Sequence, residues 1–157
     1  ILKNNNKRNQ KRILSYLECF HQSGIDISRI DFFDRIENIK DHLELYNSID
    51  ISLDTYPYSG TTTSFESLLM GVPVFTLVGQ LHASRVTGSI LRELKMDQFI
   101  VADARKYVTQ LRQVTQSKKT LNRNYRERLL QSNLCDGPTF TAKFEHALKN
   151  VLRNGGG

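Results

Sequence analysis

The sequence predicts an α/β fold, in which a Rossmann-like parallel sheet is flanked by helices and followed by a helical C-terminal tail. Strand-like and helix-like segments alternate as far as residue 101, and only helix-like segments follow. The apolar segment VFTLV, residues 74–78, is typical of a strand buried in a parallel sheet. Such an order indicates right-handed strand–helix–strand connections.

The spacing of apolar residues predicts each element in turn. Strands are predicted at residues 1–3, 29–33, 50–54, 74–78 and 99–101. Helices are predicted at residues 7–23, 40–48, 62–70 and 83–94, and Gly24 and Gly71 end two of them. Three of these helices have a face predicted to point inward. Its residues are Ile13, Leu14, Leu17 and Phe20 in the helix at 7–23, Leu43, Tyr46 and Ile49 in and directly after the helix at 40–48, and Val86, Ile90 and Leu94 in the helix at 83–94.

The tail is predicted to hold three amphipathic helices, the last beginning near Asp136. Their apolar positions are Tyr107, Val108, Leu111 and Val114, then Leu121, Tyr125 and Leu129, then Phe140, Phe144, Leu148 and Val151. We expect residues 1–103 to form a partial α/β lobe, residues 104–153 a helical extension packed on it, and residues 154–157 a disordered tail. The first strand begins at Ile1, so we expect the lobe to be truncated at its N-terminal edge.

Composition and charge narrow the class of protein. The chain has 157 residues with 22 Lys and Arg against 16 Asp and Glu, a formal net charge of +6. These charges are spread out and are not interleaved with aromatic residues, which favours a solvated basic surface over a nucleic-acid site. No apolar run approaches the roughly 18 residues of a membrane span, and no signal peptide is evident. Two cysteines without metal-ligand spacing fit a reducing compartment. We therefore expect a cytoplasmic protein.

The segment LDTYPYSGTTTSFESLLMGVP, residues 53–73, carries the clearest chemistry. A strand ends at Asp54, a turn follows, and a helix opens at the threonines Thr61, Thr62 and Thr63. Gly60 allows close approach to the backbone, and the helix start offers N–H groups and the positive end of the helix dipole. This combination predicts a diphosphate cradle. Asp54 and Tyr56 are expected to shape the turn, and Tyr58 to pack.

Glu66 falls on the same helical face as Thr62 and Thr63, about one turn deeper. Its carboxylate is placed to accept hydrogen bonds from ribose hydroxyls. A threonine N-cap followed by a helix-favouring glutamate explains the same pattern equally well.

The segment HASR, residues 82–85, opens another helix after a strand. Arg85 could bind phosphate or fix a neighbouring loop, and a surface arginine in a first turn is the alternative of equal weight. His82 is interpreted as a solvated loop residue. From the residues alone, His42 is an exposed or capping histidine.

The segment HLELYNSIDISLDTYPYSGTTTSFESLLMGVPVFTLVGQLHASRVTGSIL, residues 42–91, resembles the C-terminal catalytic lobe of the O-linked N-acetylglucosamine transferase family. The likeness extends from about residue 1 to residue 152. That family carries tetratricopeptide repeats followed by a two-lobed GT-B glycosyltransferase. The resemblance implies that this chain is the donor-binding lobe, truncated at its N-terminal edge, of an enzyme that transfers N-acetylglucosamine from UDP-GlcNAc to Ser or Thr of proteins.

The resemblance also assigns roles to single positions. It places the donor diphosphate on Gly60 to Thr63, the donor ribose on Glu66 and the uracil against His42. It implies inversion at the anomeric carbon with no metal and no other cofactor. The family's acid–base and peptide-binding groups lie in the other lobe and the repeats, so the catalytic residues stay unknown and we expect this chain alone to be inactive.

Departures from the family pattern keep alternatives open. Leu45 and Ile39 stand where animal members carry cationic residues on the uracil side. A GDP-fucose-using lobe of the SPINDLY kind is therefore a second hypothesis, and a non-catalytic nucleotide-binding fragment is a third. The expected partners are a nucleotide sugar and a protein acceptor, with no nucleic acid and no membrane. The truncated sheet edge also makes self-association an expectation.

Overall fold

The computed structural model describes residues 1–3, 10–116 and 124–154. The chain divides into two compact units, Ile1–Ile49 and Asp50–Gly157. Each unit contains its own sheet, and every strand pair in the described residues is parallel, as predicted.

The first unit pairs β1 (Leu2–Lys3) with β2 (Phe32–Phe33). Its helices are α1 (Gln10–Gln22) and α2 (Ile39–Glu44). A 3-10 turn, Ile27–Arg29, occupies the start of the strand predicted at residues 29–33. Asn38 caps α2, because its side chain accepts a hydrogen bond from the N–H of Lys40 at 2.8 Å.

The second unit contains a three-stranded parallel sheet in the order β3-β4-β5. The strands are β3 (Ser52–Leu53), β4 (Val74–Leu77) and β5 (Ile100–Val101). The helices are α3 (Thr62–Leu69), α4 (Val86–Glu93), α5 (Ala104–Gln116), α6 (Tyr125–Leu130) and α7 (Gly137–Asn154). Each of these helices overlaps one that the apolar spacing predicts.

The core of the second unit lies between the sheet and its helices. Phe75 on β4 and Phe99, which precedes β5, are fully buried. Tyr107 of α5 packs edge-on against Phe75, with ring centroids 4.9 Å apart. Tyr125 of α6 packs edge-on against Phe99 at 5.7 Å. The first two helices of the predicted tail therefore contribute directly to the core of the sheet.

Several element boundaries differ from the predicted ones. The strands are shorter than predicted, because the residues at their ends do not pair with residues of a neighbouring strand. The predicted helix 40–48 changes to a 3-10 turn at Leu45–Ser48, and the predicted helix 83–94 begins with a 3-10 turn at His82–Ser84. Residues 7–9 of the first predicted helix lie outside the described residues.

Several predicted core positions are wrong. Leu14 and Val108 are 64% and 57% exposed, because each lies at the edge of its helical face. On α7 the predicted inward face is exposed, with its first two rings stacked on each other at 6.0 Å; its residues are Phe140, Phe144, Leu148 and Val151. Leu121 lies outside the described residues.

The predicted domain boundary differs from the division into compact units. The units divide after residue 49, and α5 and α6 belong with the three-stranded sheet. A boundary at residue 103 stays a prediction. Asn154, predicted to begin a disordered tail, is the last residue of α7, and residues 155–157 lie outside the described residues. Among the described helices, none is both long enough and apolar enough to cross a membrane.

Gly88 lets α4 pack closely against the end of β4. A Cβ atom at this position would lie 2.5 Å from Cγ1 of Val78, well inside van der Waals contact. Valine is stiff at χ1, so its methyl group has little room to move away.

We predict that Gly88→Ala lowers the free energy of unfolding by about 1 kcal/mol. Alanine improves helix propensity over glycine by about 1 kcal/mol, but forcing a methyl group into a packed contact costs about 1–3 kcal/mol. Denaturant unfolding measures the difference, with the exposed neighbour Ser89→Ala as a control expected to change by less than about 0.5 kcal/mol. The double variant with Val78→Ala should recover part of the loss. A Gly88→Ala protein as stable as the parent would contradict the close contact.

Candidate functional site

The turn after β3 is organised by the carboxylate of Asp54. Its Oδ1 accepts hydrogen bonds from the backbone N–H of Gly60 at 2.8 Å and of Thr55 at 3.0 Å. Its Oδ2 accepts the hydroxyl of the fully buried Thr76, on β4, at 2.7 Å. Donors from the turn and from the neighbouring strand therefore converge on one side chain. The expectation that Asp54 shapes the turn is confirmed.

Gly60 is surrounded so closely that no other residue fits without movement. A Cβ atom there would lie 2.5 Å from Oγ1 of Thr63 and 2.8 Å from Oγ of Ser64. Its carbonyl accepts the hydroxyl of Thr87, on α4, at 2.9 Å. Because the N–H of Gly60 already donates to Asp54, the glycine contributes close approach to this site rather than a donor.

Helix α3 begins directly after this glycine. Thr61 is its N-cap residue, and Thr61, Thr62 and Thr63 are all exposed. The N–H of Phe65 donates to the carbonyl of Thr61 at 3.0 Å. Earlier N–H groups of a helix have no acceptor within the helix. The start of α3 therefore presents three exposed hydroxyl side chains beside first-turn amides and the positive end of the helix dipole.

Glu66 lies on α3 four residues after Thr62, so both are on one face of the helix. Its side chain is half-buried, whereas Thr62 is exposed. A carboxylate one turn deeper than the exposed threonines is the arrangement that the sequence predicts. Its ribose role stays a prediction.

The segment before α4 is attached to the same turn. The N–H of Ser59 donates to the carbonyl of Ala83 at 2.8 Å. Arg85 is exposed, and within the described residues its guanidinium makes no hydrogen bond or ion pair. The loop-fixing alternative for this side chain thus finds no support there. His82 is exposed, as interpreted from the sequence.

A cleft of about 540 Å³ lies beside this turn, at the carboxyl ends of β4 and β5. Ligands of parallel α/β folds bind at this edge of the sheet. The cleft is lined by Tyr56, Pro57, Leu77, Val78, Gly79, Gln80, Leu81, Ser84, Ala102 and Ala104. Tyr58, expected to pack, is 74% exposed because the turn directs it away from the core.

The second unit thus contains Gly60, the three threonines, Glu66 and Arg85, whereas His42 belongs to the first unit. His42 lies on α2 and is half-buried. Its ring meets that of Tyr46 edge-on, with centroids 5.7 Å apart.

The described residues contain no cluster of three or more His, Cys, Asp or Glu able to hold a metal ion.

The negative charge of Asp54 also affects a neighbouring helix. Burial raises the pKa of Tyr107, on α5, and the charge of Asp54 raises this pKa further. Folding therefore favours the neutral phenol of Tyr107. The resulting stability is present below the pKa of Tyr107 in the unfolded chain and is lost as the pH rises through its pKa in the folded chain.

Sequence reasoning missed two residues of this network, Thr76 and Thr87. Both are fully buried and polar. The available signal was a threonine in the otherwise apolar strand VFTLV and another on the inward side of a helix. A buried hydroxyl requires a hydrogen-bond partner, and that requirement marks such positions.

Comparisons with known proteins identify the family of the chain. Residues 12–144 match the profile of glycosyl transferase family 41. The chain is 38% identical over 147 residues to a protein of Solanum lycopersicum described as a probable UDP-N-acetylglucosamine--peptide N-acetylglucosaminyltransferase SPINDLY. It is 35% identical over 141 residues to the protein so described in Arabidopsis thaliana. These matches cover 92% and 88% of this chain, which spans only 16% and 15% of the two relatives.

The fold is similar to that of a solved O-GlcNAc transferase mutant from Thermobaculum terrenum. The TM-score is 0.83 at 31% sequence identity, and the match covers 94% of this chain and 29% of that one. The predicted α/β class and its assignment to a GT-B fold are confirmed, as is the resemblance that the motifs indicate.

Proposed function

Because the chain belongs to glycosyl transferase family 41, we propose that it is the donor-binding part of an inverting protein O-glycosyltransferase. The observation that carries this proposal is the helix start at Gly60. There, a glycine held by Asp54, three exposed threonines and a half-buried Glu66 occupy the carboxyl-terminal edge of a parallel sheet. The diphosphate of the donor binds the first turn of α3, and its ribose binds Glu66.

The proposed donor is UDP-GlcNAc and the proposed acceptor is Ser or Thr of a protein. The descriptions of the two plant relatives, which name UDP-N-acetylglucosamine and a peptide, support this donor and a protein acceptor. The reaction requires no metal, because the helix dipole, the hydroxyls and nearby cations stabilise the charge of the leaving diphosphate. Arg85, exposed and without a partner in the described residues, is one such cation. The family resemblance assigns the base to His42, a residue of the first unit. We expect the protein to act in the cytoplasm.

A GDP-linked sugar is the second candidate donor. Ile39 is 63% exposed and Leu45 is half-buried, and both are aliphatic. Neither side chain can donate a hydrogen bond to uracil, at positions where animal members of the family carry cationic residues. This observation favours a donor site that accepts guanine as well as uracil, with the same diphosphate site.

Titration of the chain with UDP and GDP tests the proposed donor site. We expect weak binding, with a dissociation constant on the order of 1 mM, observed by ligand-detected NMR. Uridine and guanosine are the controls, and we expect them to bind far more weakly because they lack the diphosphate. If neither diphosphate gives a response at millimolar concentration, the site is wrongly assigned.

Glu66→Ala should weaken UDP binding more than it lowers stability. Removing a carboxylate that accepts hydrogen bonds from ribose should cost about 1.5–3 kcal/mol of binding free energy. A substitution of this kind on a helix usually changes stability by less than about 0.5 kcal/mol. Glu127→Ala, an exposed glutamate on α6, is the matched control. A Glu66→Ala protein that binds UDP normally but melts earlier would show that the residue is structural.

The chain by itself should transfer no sugar. Catalysis between two lobes depends on holding donor and acceptor in line, and a half-open cleft lets water weaken each electrostatic contact with the diphosphate. The measurement is transfer of radiolabelled N-acetylglucosamine to a Ser/Thr peptide. A full-length family 41 transferase acting on the same peptide is the positive control. Turnover by this chain alone would refute the half-site argument.

A further inference from the structure

We propose that Asp54 and Thr87 are positioning residues that orient the backbone N–H of Thr61, the N-cap residue of α3, for the donor diphosphate. They do so by holding the two peptide groups that flank Gly60. Neither residue is itself expected to touch the donor. The inference rests on the proposed function, because it concerns the same diphosphate site.

Asp54 holds the peptide group that precedes Gly60. Its Oδ1 accepts the N–H of Gly60 at 2.8 Å, and its Oδ2 is in turn held by the hydroxyl of Thr76 at 2.7 Å. Because Thr76 is fully buried on β4, the carboxylate cannot rotate away without leaving a buried hydroxyl unpaired. The sheet thus fixes the direction of the Gly60 N–H.

Thr87 holds the peptide group that follows Gly60. Its hydroxyl donates to the carbonyl of Gly60 at 2.9 Å and lies 2.9 Å from the hydroxyl of Ser64. A hydroxyl has one proton. Since the Thr87 proton is used on the carbonyl, the Ser64 hydroxyl donates to Thr87, and the loop, α3 and α4 are joined through one buried oxygen.

The planarity of the peptide group gives these contacts a consequence for the ligand. In a trans peptide the C=O and the following N–H point in opposite directions. With the Gly60 carbonyl directed at Thr87, the N–H of Thr61 points away from Thr87. The two contacts therefore orient the first amide of the cradle before any ligand arrives, which lowers the cost of binding.

The chain supplies a matched control at the other end of α3. Ser67 is buried, donates to the carbonyl of Val72 at 2.9 Å and lies 2.8 Å from the hydroxyl of Ser52. Ser67→Ala therefore removes the same kind of hydroxyl, with one carbonyl and one hydroxyl partner, as Thr87→Val does. It leaves the Gly60 peptides untouched.

The experiment compares Thr87→Val, Asp54→Ala and Ser67→Ala with the parent chain. The conservative variants Thr87→Ser and Asp54→Asn retain the donor to the Gly60 carbonyl and the acceptor for its N–H. Affinity for UDP and for inorganic pyrophosphate is measured by NMR, stability by thermal unfolding, and the exchange rate of the Gly60 and Thr61 amides by hydrogen exchange.

We expect Thr87→Val and Asp54→Ala to weaken both ligands about tenfold, the effect of losing one well-oriented contact. Ser67→Ala should lower the melting temperature to a similar extent and change affinity less than about twofold. The conservative variants should bind within about threefold of the parent, because they preserve the hydrogen bonds to Gly60. Should Asp54→Ala fail to fold, Thr87→Val and Thr87→Ser decide the matter.

Equal losses of affinity in Thr87→Val and Ser67→Ala, or no loss in either, would overturn the positioning role while the proposed function stands. If the parent binds neither UDP nor pyrophosphate, the proposed function fails. Hydrogen exchange then tests separately whether Asp54 and Thr87 hold the peptide groups that flank Gly60. Faster exchange of the Gly60 and Thr61 amides only in Thr87→Val and Asp54→Ala supports this role. Equally fast exchange in Ser67→Ala overturns it.

Discussion

The carboxylate of Asp54 is the interaction on which the candidate site depends. An ionised side chain at the end of a strand is costly unless its oxygens are hydrogen-bonded. Here the cost is met by two backbone N–H groups of the turn and by the hydroxyl of Thr76 from the next strand. The same contacts determine where the turn ends, and therefore where α3 begins relative to the edge of the sheet.

Hydroxyl groups occupy two distinct environments around this turn. Those of Ser64, Thr76 and Thr87 are buried and hydrogen-bonded to the turn or to one another, whereas the side chains of Thr61 to Thr63 are exposed at the start of α3. Buried hydroxyls suit the first environment because they satisfy carbonyl and carboxylate acceptors without introducing charge. The proposed diphosphate site thus lies next to a backbone that buried hydroxyls already hold.

Much of this arrangement was predictable from local pattern. Apolar spacing predicts the helices of the second unit, and Gly followed by three threonines predicts a helix start able to bind phosphate. Exposure was predicted less well. Leu14 and Val108 fit an apolar stripe yet are exposed, because a stripe defines a face but not the width that a neighbour covers. Tyr58 is exposed for a similar reason, since the course of a turn decides its direction.

By itself the sequence determined the parallel α/β class, the order of elements, the helix start at Gly60 and the family, because each depends on residues close together in the chain. Only the tertiary structure decided how Gly60 is held. The hydroxyl of Thr87 reaches the Gly60 carbonyl across 27 residues, and that of Thr76 reaches Asp54 across 22. No local pattern encodes such pairs. They exist because parallel strands bring their carboxyl ends, and the helices that follow, to one edge of a sheet.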